Sequence, residues 1–313
     1  MLVAAPVSAQ TSEPDTPTAA ATTPQAAEPA GAAPAAKPDK KAAAPAKVLF
    51  GAAKTPAPLA ARAIGNYARG CLAGAQQLAI DGPAWQAMRL SRNRNWGHPR
   101  LIALLERFAA DVRANDGWPG LLVGDISQPR GGPMLTGHAS HQIGLDADIW
   151  LTPMPDRRLT EKEREDLSAT TMLAEGGLAV NPQVWTAQHV RILRRAASYG
   201  EVERVLVHPA IKKAMCEATA GEKDRAWLGK LRPIWGHHFH FHIRIACPPG
   251  VAGCVAQAPI PGDDGCGKEL EDWYKLLTAP PKPRGPPKPE PPPITLAGLP
   301  ADCRAVLEAP AKN

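Results

Sequence analysis

Aromatic residues are scarce in this chain, at 5% of 313 residues, and they do not interleave with the basic residues behind its formal net charge of +6. A basic surface with stacking platforms is therefore missing, and nucleic acid is not expected as a partner. No apolar run approaches the roughly 20 residues that a bilayer-crossing helix needs, so no membrane span is expected. Neither a Gly-rich phosphate loop nor an internal repeat is visible. None of the six cysteines (Cys71, Cys216, Cys247, Cys254, Cys266 and Cys303) forms a Cys-x-x-Cys pair, so zinc-finger spacing is absent. An even, scattered set favours disulfides in an oxidising compartment, with the pairing left open.

Both ends of the chain lack the composition of a folded unit. Residues 10–49 are mostly Ala, Pro, Thr, Glu and Lys and read as a disordered tether, because they offer too little apolar surface to offset chain entropy. Ahead of them, Val7-Ser8-Ala9 has the small-x-small form of a signal-peptidase site, so residues 1–9 read as a signal-peptide remnant. The Pro-rich run Pro280–Pro293 reads as a semi-rigid spacer within a tail, residues 280–313, that carries Cys303. Residues 50–279 remain as the folding unit. The remnant and the cysteines together predict the periplasm or the exterior.

Within that unit the pattern predicts short strands with helices between them, an α+β fold. Trp85–Leu90 reads as a short strand. Pro99 opens a helix with Leu101, Ile102, Leu104, Leu105, Phe108 and Val112 at helical spacing, closing near Asn115. Leu121–Ile126 reads as an apolar strand and Ser127–Pro133, rich in Gly and Pro, as a loop. Thr160 with Glu163 has capping-box spacing, Thr186 caps a helix that ends near Gly200, Val202–Val207 is a strand, and Pro209 begins a helix containing Cys216.

Two stretches carry chemistry. In the first, four of the nine histidines fall within His237-His238-Phe239-His240-Phe241-His242. Strand alternation sends Phe239, Phe241, Ile243 and Ile245 into a core and puts His240, His242 and Arg244 on the opposite face. In the second, Gly137-His138-Ala-Ser-His141-Gln-Ile-Gly144-Leu-Asp146-Ala-Asp148 passes from loop to strand, with Asp146 and Asp148 sharing a face and Gly144 turning the chain between His141 and Asp148. Asp146 could orient a ligand but reads foremost as an exposed strand aspartate, and His98, His189 and His208 read as structural or solvent-facing. Two imidazoles and a carboxylate are a catalytic zinc ligand set that leaves the metal an open position.

His138-Ala-Ser-His-Gln-x-Gly-Leu-Asp-x-Asp148, together with Trp235-x-x-His, His240-x-His242-x-Arg244 and Cys247-Pro, resembles the penicillin-insensitive murein endopeptidases. These belong to the metallopeptidase superfamily of D-alanyl-D-alanine dipeptidases, lysostaphin-type endopeptidases and hedgehog signalling domains. The resemblance runs from about Cys71 to Cys266 or Cys303. It implies a small antiparallel sheet carrying the zinc site, flanked by helices and held by disulfides Cys71–Cys303, Cys216–Cys266 and Cys247–Cys254. By the same resemblance His141, Asp148 and His242 bind Zn²⁺, and His240 is the general base or oxyanion stabiliser. His237 matches a further active-site histidine, and His138 a histidine of a second metal site. Arg244 is a candidate contact for a substrate carboxylate. The implied activity is periplasmic hydrolysis of D-alanyl–meso-diaminopimelyl cross-links in peptidoglycan, insensitive to penicillin. Two alternatives stand beside it: a D,D-carboxypeptidase or dipeptidase of the same superfamily, and a silent peptidoglycan-binding scaffold with structural zinc.

Overall fold

The computed structural model describes residues 44–280 and 291–311. The signal-peptide remnant expected at residues 1–9, most of the tether and the middle of the Pro-rich run lie outside the described residues. Helix α1 (Ala46–Ala52) is followed by strands β1 (Arg62–Asn66), β2 (Arg69–Ala73), β3 (Gln76–Gln77), β4 (Trp85–Ala87) and β5 (Trp96–Gly97). Next come α2 (Pro99–Asn115), β6 (Leu121–Val123), β7 (Asp146–Trp150), α3 (Glu161–Asp166), α4 (Ala187–Ser198) and β8 (Val202–Val207). The chain closes with α5 (Pro209–Ala218), β9 (Leu231–Pro233), β10 (His240–Ile245), α6 (Lys268–Thr278) and α7 (Asp302–Glu308).

The α+β expectation is met by a six-stranded sheet of order β4-β6-β7-β10-β8-β9. Its centre is antiparallel through β6, β7, β10 and β8, while β4 and β9 join the two edges in parallel. One face of the central strands sends Ala147, Ile149, Phe241 and Ile243 into the main core, where α2 supplies Leu101, Leu104, Leu105 and Phe108. The Phe108 ring meets Phe241 edge-on at 6.3 Å. Each fully buried side chain of this size contributes roughly 1.5–3 kcal/mol of transfer free energy.

Two predicted strands are shorter than their apolar runs. The strand read over Trp85–Leu90 stops at Ala87, and Leu90–Arg92 turns into a 3-10 helix between two left-handed residues, Arg89 (φ 58°) and Asn93 (φ 51°). That read over Leu121–Ile126 stops at Val123, although Gly124 and Asp125 still exchange backbone hydrogen bonds with Asp148 of β7. Asp125 collects three cationic or imidazole partners, and the carbonyl of Ile126 is met by a histidine ring. Phe239, predicted to point inward, lies before β10 and is 36% exposed, since the chain is still turning there and alternation has not begun.

Helices α2 and α5 both open with His-Pro. The imidazoles of His98 and His208 accept the backbone N–H two residues on, capping the helix while proline fills its first position. The predicted capping box of Thr160 and Glu163 is present at α3.

A second core joins the two ends of the folded unit. Phe50 of α1, which begins inside the stretch read as tether, packs with Ile64, Leu296 and Val306 around the Cys71–Cys303 disulfide. Arg130 threads its guanidinium into this region and donates to the carbonyls of Thr55, Val306, Leu307 and Ala309, satisfying the open C-terminal end of α7. The other disulfides are Cys216–Cys266 and Cys247–Cys254, so all three implied pairings are found and no cysteine is free.

Candidate metal centre

The site is written in the register of β7 against β10. Asp148 lies directly opposite His242, and Asp146 opposite Arg244, on the sheet face turned away from α2. The sequence placed these residues on one face of each strand, and antiparallel pairing brings the two faces together.

Asp148 is the point of convergence. Its Oδ1 is approached by His242 Nδ1 at 3.2 Å, His141 Nε2 at 3.4 Å and His240 Nε2 at 3.6 Å, and its Oδ2 by His138 Nδ1 at 3.5 Å. Burial alone would raise the Asp148 carboxyl. The surrounding imidazoles, His141 foremost, outweigh it and hold the group well below the usual carboxylate range. Asp148 Oδ1 and His141 Nε2 are both buried without a hydrogen-bond partner among the described residues. Facing donor atoms left bare in this way fit a cation between them, because an unsatisfied buried polar atom is otherwise costly. His138, His141 and Asp148 present ligand atoms all within 4.8 Å of one another. His242 reaches the same Asp148 oxygen, so His141 and Asp148 are shared between two possible triads.

His141, His138 and His242 are each aimed by the other ring nitrogen. His141 Nδ1 is held at 2.6 Å by the Ile126 carbonyl, which leaves Nε2 facing the site. Its backbone is left-handed at φ 66°, a conformation that costs a non-glycine residue roughly 1–2 kcal/mol and is held here by its N–H donating to Asp146 Oδ2 at 3.0 Å. Gly144 is left-handed too, at φ 69°, where a Cβ would lie 2.4 Å from Leu72, so the predicted turn into β7 needs glycine.

Asp146 corrects the sequence reading. Far from being exposed, it has no accessible surface. Its carboxylate accepts from His242 Nε2 at 2.9 Å and from Arg244 at 2.7 and 3.2 Å, as well as from the His141 backbone. His242 thereby turns Nδ1 towards Asp148. Arg244, 7% exposed, is stacked 4.1 Å over the Tyr67 ring, and its guanidinium faces Asp146.

Asp125 was not singled out from the sequence. Its Oδ2 receives Arg92 at 3.0 Å, Arg94 at 2.9 Å and His138 Nε2 at 3.0 Å. Burial opposes its ionisation, but the His138 hydrogen bond and the two arginines bring it down to about 2. An isolated aspartate after a short strand gives no periodic signal, so only the fold discloses it.

His240 and His237 complete the rim. Burial pushes the His240 imidazole down to about 4, so it is neutral at physiological pH, and its Nδ1 is buried without a partner among the described residues. The His237 ring lies 4.8 Å from that of His240, on a backbone with φ 51°, and its Nδ1 meets the Trp235 carbonyl at 3.0 Å. His238 turns elsewhere and pairs with Thr171 at 2.8 Å. His98, His189 and His208 are buried and structural. A cavity of about 410 Å³ lined by Asp148 and His240 and another of about 700 Å³ lined by His237 and His242 adjoin the cluster; His138 borders both.

Residues 63–308 match the family model described as penicillin-insensitive murein endopeptidase. A Haemophilus influenzae protein of that name is 46% identical over 222 residues, covering 70% of this chain and 74% of the relative. Relatives bearing the same name from Klebsiella pneumoniae and Pectobacterium atrosepticum are 41% identical over 248 residues and 39% identical over 247 residues. Each of those alignments covers 79% of this chain, with 86% and 84% of the respective relatives. The chain belongs to the penicillin-insensitive murein endopeptidase family.

Proposed function

We propose that this chain is a zinc-dependent endopeptidase of the periplasm that hydrolyses D-alanyl–meso-diaminopimelyl cross-links in peptidoglycan. The observation that carries the reading is the Asp148 carboxylate with its bare Oδ1, ringed by imidazole nitrogens, in a chain of this family. His141, Asp148 and His242 would hold the ion, and His138 is the candidate for a second. Zinc, when bound, supplies Lewis-acid polarisation of the scissile carbonyl.

The protein's own groups do the rest. Neutral His240 accepts the proton of the attacking water and returns it to the leaving nitrogen. Beside it, His237 borders the rim with its ring 4.8 Å from that of His240. Asp146 keeps His242 turned towards the site, and Asp125 does the same for His138. This chemistry uses no serine nucleophile, so a β-lactam that acylates serine enzymes has no target in it.

Two separate cavities adjoining the cluster offer room for the two halves of a cross-link, which favours cleavage within a chain over removal of a terminal residue. The test is a digest of cross-linked muropeptide dimers with and without chelator. Dimers should become monomers, the activity should vanish on chelation and return with Zn²⁺. Zinc-loaded protein that leaves dimers intact overturns the reading, and release of free D-alanine from pentapeptide monomers replaces it with the carboxypeptidase.

A further inference from the structure

Among the described residues, four that are not glycine adopt left-handed backbone: Arg89, Asn93, His141 and His237. Two of them are site histidines. The other two bracket the 3-10 turn Leu90–Arg92, which borders the smaller cavity beside Asp148 and His240. Backbone strain persists only where surrounding structure enforces it, and it gathers at functional sites. The turn uses its strain to project two guanidiniums into that cavity.

The two arginines differ in what they have left to give. Arg89 donates to the carbonyls of Arg164 and Leu167 and lies 5.4 Å over the Trp150 ring, so its position is fixed and its donors are committed. Among the described residues Arg92 has only Nη1 engaged, on Asp125 Oδ2 at 3.0 Å, and its side chain is 46% exposed. Through that carboxylate it stands one imidazole from the metal centre, since His138 touches Asp125 at 3.0 Å and Asp148 at 3.5 Å. The pairing orients the guanidinium and leaves its remaining donors to face the cavity. Arg89 and Arg92 line this cavity with Asp125 and Asp148, so its two guanidiniums balance its two carboxylates before any cation joins Asp148.

We propose that Arg92 is the anchor for a substrate carboxylate on the leaving-group side of the scissile bond. This rests on the endopeptidase reading and deepens it. In a D-alanyl–meso-diaminopimelyl cross-link the scissile nitrogen is borne by a carbon that also carries a free carboxylate, so an anionic oxygen pair enters the site with the bond to be cut. A guanidinium with free N–H groups is the side chain suited to it, in two parallel charge-assisted hydrogen bonds. The cavity of Arg92 then takes the diaminopimelyl half and the larger cavity the acyl half.

The experiment compares two muropeptide dimers, one with the free diaminopimelyl carboxylate and one with that carboxylate amidated, on the zinc-loaded full chain and on Arg92→Gln and Arg92→Lys. The wild type should favour the free acid by roughly 10- to 100-fold in kcat/KM, the scale of a charge-assisted pair. Arg92→Gln should lose most of that preference, with KM for the free-acid dimer rising far more than KM for the amidated one, while keeping its zinc content, and Arg92→Lys should recover part of it. Equal turnover of both dimers by the wild type, or a preference undiminished in Arg92→Gln, overturns the assignment. Should Arg92→Gln fail to fold, the wild-type ratio and Arg92→Lys still decide. Wild type that cleaves neither dimer removes the endopeptidase reading itself, and this inference with it.

Discussion

Asp146 Oδ1 and His242 Nε2 share a 2.9 Å hydrogen bond between adjacent central strands, and the same carboxylate accepts from Arg244 and from the His141 backbone. One buried charge thus fixes His242 and Arg244 of β10 and His141 ahead of β7 in the candidate metal centre. Asp146→Asn should weaken zinc affinity by roughly 10- to 100-fold, the usual effect of losing a carboxylate behind a ligating histidine. Leaving the buried Arg244 without its counter-charge should also cost several kcal/mol of stability. Competition with a chromophoric chelator and thermal melts measure the two effects separately. Unchanged affinity would show that His242 needs no such partner.

His240→Ala separates chemistry from metal binding. Zinc should stay at the wild-type level while hydrolysis falls by roughly 10²- to 10⁴-fold, the scale of a lost general base. A scaffold holding structural zinc would change in neither measurement.

His208 predicts an acid-sensitive helix start. Burial, with His238 and His237 nearby, pushes its imidazole down to about 4, while its Nδ1 accepts the Ala210 N–H and has no room for a proton. The unfolded chain, with an ordinary imidazole, takes up a proton first as pH falls. Stability is therefore lost between about pH 6.5 and 4 and no further below, by a total on the order of 2–3 kcal/mol. His208→Asn keeps an N-cap acceptor without the titration. Urea unfolding at pH 7 and pH 4.5, in chelator, should show a smaller drop for the variant, and equal drops would refute the assignment.

Arg130→Met should loosen the tail without touching the metal centre. Its guanidinium satisfies carbonyls at the end of α7, and removing it leaves several of them bare in a buried setting. Hydrogen exchange in residues 302–308 should rise sharply while zinc binding is unchanged. Protection equal to wild type would assign the docking of α7 to Cys303 and Val306 alone.

Where a residue's partner sat at the right spacing, the sequence disclosed its place. Phe241 and Ile243 were readable as core, and His240, His242 and Asp148 as one face, because strand alternation is a local rule. Spacing of Leu101 to Val112 likewise gave α2. Asp146 was misread because its burial depends on Arg244 and His242, 98 and 96 residues away, and no local pattern distinguishes a charge that will be paired from one that will be solvated. Asp125 lies in a loop and Arg92 in a single 3-10 turn, neither with periodicity, and the tertiary fold alone makes them neighbours. Phe239 failed for the opposite reason, since alternation was extended one residue past the point where the strand starts.

The Cys71–Cys303 bond spans 232 residues. Every candidate of the metal centre, from Arg92 to Arg244, lies between those two cysteines. Residues 71–303 therefore form a covalent loop, and one protease cut inside it opens the loop without dividing the molecule. A clipped protein should still travel as one species under non-reducing conditions and separate into two only when reduced. The enzyme's working strands thus stay in a single covalent piece where peptide bonds are being broken.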